Sequence, residues 1–219
     1  MQFLRPLALL LLLLATAATL PAAPEDWKAD IEKFLAADAT QPPPPDAVLF
    51  IGSSSIRLWE TLARDFPHVK TINRGFGGSE LADSLHYADQ IVIPYRPRTI
   101  VLYAGDNDLA NGKSPETIAS DFVAFRRKIH AALPQTRIAY LAVKLSPSRI
   151  HLRDAALRTN ALIAADCGTD PRCTFVDLVT PTLDAAGQPR RELFMEDMLH
   201  LNAAGYEVWA RTLAPHLQP

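Results

Sequence analysis

The chain has 219 residues, enough for one sizeable domain and short for two. Hydrophobic residues make up 48% and charged residues 21%, a globular balance that excludes a wholly disordered or collagenous chain. Lys plus Arg number 22 against 24 Asp plus Glu, without the basic excess of a nucleic-acid binder, and two cysteines cannot build a disulfide-rich scaffold or a four-thiolate zinc site.

The chain opens with a single Arg5, an apolar run over 7–15, and small residues at Ala15, Ala17, Ala18, Ala22 and Ala23, with no charge between Arg5 and Glu25. This is the order of a secretory signal: positive start, apolar middle, small-residue cleavage zone. The apolar run is shorter than the roughly 20 residues of a spanning helix. Residues 1–23 are therefore expected to be a signal peptide, cut after Ala17 or after Ala22, leaving no stable membrane insertion. The chain is expected in the periplasm or outside the cell. Cys167 and Cys173 frame a loop of turn residues, and in an oxidising compartment they could pair.

Residues 24–37 read as a short amphipathic helix, with Trp27, Ile31 and Phe34 about one turn apart. The prolines at 42–45 cannot continue it and act as a stiff spacer. Residues 24–46 are thus a packing arm, and residues 47–219 one domain. Continuous apolar runs at 47–51 (AVLFI), 69–72, 99–104 (TIVLYA), 138–143 (IAYLAV) and 174–178 (TFVDL) have strand length. Their lack of alternation predicts strands covered on both faces. Helical patterns fall between and after them, at 56–65, 79–91, 115–133, 152–165 and 202–213. Alternating strands and helices predict an α/β fold, a three-layer α/β/α sandwich around a five-stranded parallel sheet. In such sheets ligands bind beyond the carboxyl ends of the strands.

Four segments follow those ends. Gly52-Ser53-Ser54-Ser55 after the first strand can stand a short nucleophile at a helix start, or simply cap it. Ile56 replaces the closing glycine of G-x-S-x-G, so this is not the elbow of an α/β-hydrolase. After the second strand, Gly75, Gly77 and Gly78 are three of the chain's nine glycines, and serve either a turn or close backbone approach to a ligand. Gly105-Asp106-Asn107-Asp108 follows the third. Asn107 can donate into the crevice, while Asp106 and Asp108 either bind a cation or cap a turn. Near the C-terminus, Asp197 precedes His200 by three residues, a spacing that lets a carboxylate orient an imidazole acting as a base. The other histidines lack such a partner, although His151 could reach the crevice rim.

Gly-x-Ser, the glycine cluster, Gly-x-Asn-Asp and Asp-x-x-His, in this order, resemble the SGNH (GDSL-type) esterase/acylhydrolase superfamily over residues 47–213. The segments VLFIGSSSIRLW and NRGFGGS resemble its branch of bacterial relatives of platelet-activating-factor acetylhydrolase. The resemblance implies a flavodoxin-like strand order. It implies Ser54 as nucleophile, His200 as base and Asp197 as its orienting acid, with Ser54, Gly78 and Asn107 supplying the oxyanion hole. No metal or organic cofactor is implied. Two positions depart from the family pattern. Ser53 replaces its usual Asp, and Met198 replaces a frequent Gly, which is expected to narrow the mouth of the site. The implied activity is hydrolysis of short, acetyl-like esters of a carbohydrate or lipid-derived alcohol. Acyl transfer to a sugar hydroxyl, or a non-catalytic envelope carbohydrate-binding module, are the alternatives. Because the imidazole must be neutral, activity should decline below roughly pH 6–7. Arg57, Arg74 and Arg149 could contact a polar or anionic substrate. The oligomeric state is not written in the sequence.

Overall fold

The computed structural model describes residues 24–217, and the expected signal segment lies outside the described residues. A short 3-10 turn, Pro24–Trp27, leads into α1 (Lys28–Thr40). The proline stretch then delivers the chain to β1 (Val48–Gly52), followed by α2 (Ser54–Arg57) and α3 (Leu62–Asp65). Next come β2 (Thr71–Gly75), α4 (Leu81–His86), α5 (Ala88–Ile91), β3 (Thr99–Tyr103) and α6 (Asp106–Ala110). The chain continues through α7 (Pro115–Ala132), β4 (Arg137–Leu141), α8 (Arg153–Cys167), β5 (Cys173–Val176) and α9 (Ala203–Leu213).

The five strands form one parallel sheet in the order β2-β1-β3-β4-β5, as expected. β1 and β3 are buried at every position, so their continuous apolar runs reflect helices on both faces. The register places Phe50, Val101 and Tyr103 on one face, where Trp59, Phe66 and Trp209 pack. Leu102 and Tyr140 point to the other face, where Tyr140 meets Phe122 of α7. Full burial of each such side chain contributes about 1.5–3 kcal/mol. α7 begins as its sequence predicts, with Ser114 Oγ accepting the Thr117 N–H and Pro115 at the first helical position.

Two expected helices are broken. The 56–65 pattern splits because Trp59 turns into the aromatic cluster, and both Trp59 Nε1 (2.7 Å) and Thr61 Oγ1 (2.5 Å) donate to the Asp65 carboxylate. The 79–91 pattern starts later, at Leu81, where the Asp83 carboxylate accepts the Glu80 N–H at 2.7 Å, and it breaks again at Tyr87. Cys167 and Cys173 form a disulfide that ties the end of α8 to the start of β5, with Cα atoms 4.8 Å apart. Among the described residues no helix is long and apolar enough to cross a membrane.

The arm is anchored by more than apolar contact. Trp27 and Ile31 are buried in the main core. Arg74, at the end of β2, ion-pairs with Asp38 and lies over the rings of Phe34 and Tyr95, and the Tyr95 hydroxyl also donates to Asp38. Arg74 therefore fastens α1 to the sheet and does not reach the cleft where a substrate would sit.

Candidate active site

At the carboxyl end of the sheet lies an open cleft of about 510 Å³, lined by Ser54, Arg57, Gly77, Gly78, Asn107, Arg149, Leu199 and His200, with Asp30 contributed by α1. A larger hollow of about 630 Å³ at the opposite end, lined in part by Arg96, Arg98 and Arg137, holds neither serine nor histidine.

The serine loop sits hard against β3. Gly52 has φ +136°, and a Cβ there would stand 1.8 Å from the Tyr103 carbonyl oxygen, so only glycine lets the chain turn here. The next N–H, that of Ser53, donates to the same carbonyl at 3.0 Å. Ser54 is the first residue of α2. Behind it, Ser55 is held from two sides: its carbonyl accepts from the Tyr206 hydroxyl at 3.0 Å, and its Oγ accepts from Lys144 Nζ at 3.2 Å.

Lys144, just past β4, is the buried centre of this end of the molecule. Its ammonium also reaches Asp106 Oδ2 at 2.7 Å and the Tyr103 hydroxyl at 3.0 Å. Burial opposes ionisation of Asp106, but the charges of Lys144 and Arg149 and the hydrogen bonds from Lys144 and Tyr103 outweigh it and hold the carboxyl below its usual range. Asp106 thus neither caps a turn nor faces an open cation site. Asp108, fully buried beside it, accepts from the Leu81 N–H and from Lys113. Both acids sit inside α6, a single turn too short to show as periodicity.

Asn107, between them, presents its amide to the cleft. Its Nδ2 donates to Ser79 O at 3.0 Å, and its Oδ1 accepts from Arg149 Nη1 at 3.1 Å, which fixes which end is which. One Nδ2–H remains beyond the bond to Ser79. Among the described residues, neither the Ser54 N–H nor the Gly78 N–H finds a protein acceptor.

The histidine comes from the irregular segment between β5 and α9. Asp197 Oδ1 accepts the N–H groups of Leu199 and His200, both at 2.9 Å, which curls the chain so that the imidazole returns over the carboxylate. His200 Nδ1 lies 2.5 Å from Asp197 Oδ2, and Nε2 lies 2.9 Å from Ser54 Oγ. An ionised carboxylate can only accept, so Nδ1 carries the proton and Nε2 accepts from the serine hydroxyl. Desolvation pulls the Asp197 pKa upward, but the imidazole and the two backbone donors prevail and lower it to about 2. The carboxylate is therefore ionised throughout the neutral range.

The sequence-predicted residues Ser54, Gly78, Asn107, Asp197 and His200 thus converge. Arg57 and Arg149 also line the cleft, whereas His151 is exposed and lies outside its lining. Met198 does not line it either: Leu199 does. Met198 instead adopts a left-handed conformation at φ +55°, the region glycine favours, and its carbonyl accepts from Ser148 N and Oγ. Sequence reasoning missed Lys144, whose signal was a lone cation at the end of an apolar strand. It also missed what Trp27 touches, which no local pattern reveals.

The family model of GDSL-like lipase/acylhydrolases matches residues 51–208. The chain belongs to that family. It is accordingly a carboxylic ester hydrolase whose substrate is a small-molecule ester. Solved structures match over most of the chain. A Streptococcus pneumonia protein provisionally described as a platelet activating factor is 21% identical, covering 89% of this chain and 96% of its own, at TM-score 0.77. A GDSL-like lipase from Bacteroides thetaiotaomicron is 20% identical, covering 86% and 97%, at TM-score 0.72. A variant of an acetyl-xylooligosaccharide esterase from Geobacillus stearothermophilus is 14% identical, covering 80% and 95%, at TM-score 0.65. These likenesses show a shared fold. No curated protein sequence matches this one.

Proposed function

We propose that this is an exported serine esterase that removes short, acetyl-like acyl groups from a carbohydrate or lipid-derived alcohol. The observation that carries the reading is the continuous relay from Asp197 through His200 to Ser54, at 2.5 and 2.9 Å. Ser54 Oγ attacks the ester carbonyl while His200 Nε2 takes its proton, and Asp197 stabilises the resulting imidazolium. The carbonyl oxygen becomes an oxyanion, which accepts from the N–H groups of Ser54 and Gly78 and from the free Nδ2–H of Asn107. Collapse of the tetrahedral intermediate expels the alcohol, which receives the proton from His200. Water then enters, gives a proton to His200 Nε2 and attacks the acyl-Ser54 carbonyl; collapse of this second intermediate releases the carboxylic acid as Ser54 Oγ takes the proton back from His200.

The cleft supports the substrate class. Arg57, Asn107, Arg149, His200 and Asp30 make most of its lining, with Leu199 the apolar side chain, so it suits a hydroxyl-rich alcohol better than a long acyl chain. The acetyl-xylooligosaccharide esterase shares the fold, which favours the same direction. Export is supported by the order of residues 1–23 and by the Cys167–Cys173 disulfide.

Ser54→Ala decides the reading. Turnover of p-nitrophenyl acetate and acetylated xylo-oligosaccharides should fall at least about 10⁴-fold with the melting temperature unchanged. Comparable turnover in the variant removes Ser54 from the mechanism.

A further inference from the structure

A peptide unit is planar and trans, so its carbonyl and its N–H point in opposite directions. A donor placed on the carbonyl therefore orients the N–H on the far side and polarises it, strengthening it as a donor. All three amides assigned to the oxyanion are held in this way. The Ser53–Ser54 unit has its carbonyl on the N–H groups of Ile56 and Arg57, at 3.0 and 3.2 Å. The Asn107 amide has its oxygen on Arg149 Nη1 at 3.1 Å. The Gly77–Gly78 unit has its carbonyl on the indole Nε1–H of Trp27, at 2.8 Å, and that donor comes from the arm, fifty residues earlier in the chain.

The third case differs from the other two. A peptide flanked by two glycines turns over more easily than any other, and Gly78 already sits at φ +82°. A Cβ at Gly78 would find nothing closer than Trp27 Cζ2 at 3.9 Å, so little else crowds the unit on that side. Its orientation has to be imposed from outside. Trp27 is equipped to do this: it is 5% exposed and meets the Phe76 ring edge-on at 6.1 Å. Behind it, the buried Ile31 and the Arg74–Asp38 pair fix the helix that follows.

We propose that Trp27 is a positioning residue of the esterase, its indole N–H locking and polarising the Gly77–Gly78 peptide so that the Gly78 N–H is presented to the oxyanion. The N-terminal arm is thereby part of the catalytic apparatus. This rests on the assignment of Ser54 as nucleophile.

The test is Trp27→Phe, which keeps an aromatic ring against Phe76 and removes the donor together with part of the indole's packing surface. With p-nitrophenyl acetate, kcat should fall about 10-fold while KM stays within about twofold, because the lost interaction grows with the oxyanion. The inhibition constant of a trifluoromethyl ketone, which forms a tetrahedral oxyanion on serine, should weaken by about the same factor. Arg149→Met, acting on the other amide from a different element, should likewise weaken the ketone, so the outcome does not depend on the arm alone. Wild-type kcat and ketone affinity in Trp27→Phe would overturn the proposal, as would a loss confined to KM or to the melting temperature. Absence of Ser54-dependent labelling of the wild-type chain by a fluorophosphonate overturns the esterase reading and this inference together. Normal labelling with Trp27→Phe indistinguishable from wild type overturns this inference only.

Discussion

Ser54, Gly78 and Asn107 stand where β1, β2 and β3 end, on loops tied down by buried polar contacts. Asp197 and His200 stand on a segment with a 3-10 turn, Arg191–Leu193, and one isolated bridge, Phe194 to Leu201. The contrast in solvent exposure is as sharp. The side chains of Lys144 and Asp106, beneath the serine loop, are 2% and 8% exposed, whereas those of His200 and Asp197 are 22% and 47% exposed. The strand-end half is held by the same interactions that hold the fold. The loop half is held by its own local hydrogen bonds and can be altered without disturbing the core. Damage to the buried contacts beneath the first half should register in stability, and damage to the second half in rate alone.

Asp197→Asn falls wholly on the loop half, where it gives the largest expected effect. The carboxamide can still accept the Leu199 and His200 N–H groups through its oxygen, but it no longer fixes the imidazole tautomer. We expect kcat to fall by about 10³–10⁴ with chemical stability unchanged. Esterase assays beside a urea titration check this, and a large loss of stability would show that the loop half is not independent.

Lys144→Met tests the other half. It leaves the Asp106 carboxylate buried with the Tyr103 hydroxyl as a donor at 3.0 Å and, in place of the ammonium, only the Arg149 guanidinium, whose Nη1 is 3.6 Å away. Breaking one partner of a buried pair typically costs about 3–5 kcal/mol. The midpoint of urea unfolding should drop accordingly. A change near zero would mean that water or Arg149 replaces the ammonium.

The smallest effect concerns pH. Burial pushes Asp108 and Asp83 up to about 6 each. The folded protein then holds protons that the unfolded chain releases from about pH 4 upward, so their contribution to stability is full below that pH and is lost as pH rises through about 6. Asp108→Asn removes one of these groups. Its melting temperature should decline less than that of wild type between pH 4.5 and 6.5, by about 2–4 °C. Equal declines would exclude Asp108 as the source.

How far the sequence alone led follows the same division. The sheet was legible because β1 and β3 are covered on both faces, and continuous runs such as AVLFI and TIVLYA record that burial directly. Asp197 and His200 were legible because a turn brings residues three apart together. The glycines at 52, 75, 77 and 78 marked strand ends, since crowding and left-handed backbone leave a visible residue type. Lys144 and Trp27 were not legible in their roles. Each acts on atoms at least 38 residues away, Asp106 and Gly77 respectively, and such pairings exist only once the layers have packed. The breaks at Leu58 and Tyr87 were hidden for a related reason: tertiary packing of Trp59 and the Asp83 contact overrode a pattern that favours a continuous helix.

The family match opens at residue 51, inside β1, and the fastening of α1 by Arg74 has a practical bearing on that boundary. A shortened protein begun there would discard half a central strand. One begun at Asp46 would keep the whole sheet and still leave the Arg74 guanidinium beside Tyr95 without Asp38 and Phe34, with the flank of Phe76 open to water. Such a truncated form should be prone to clumping during purification, and a poor yield from it would say nothing about the enzyme. Expression boundaries for this chain belong at or before residue 24.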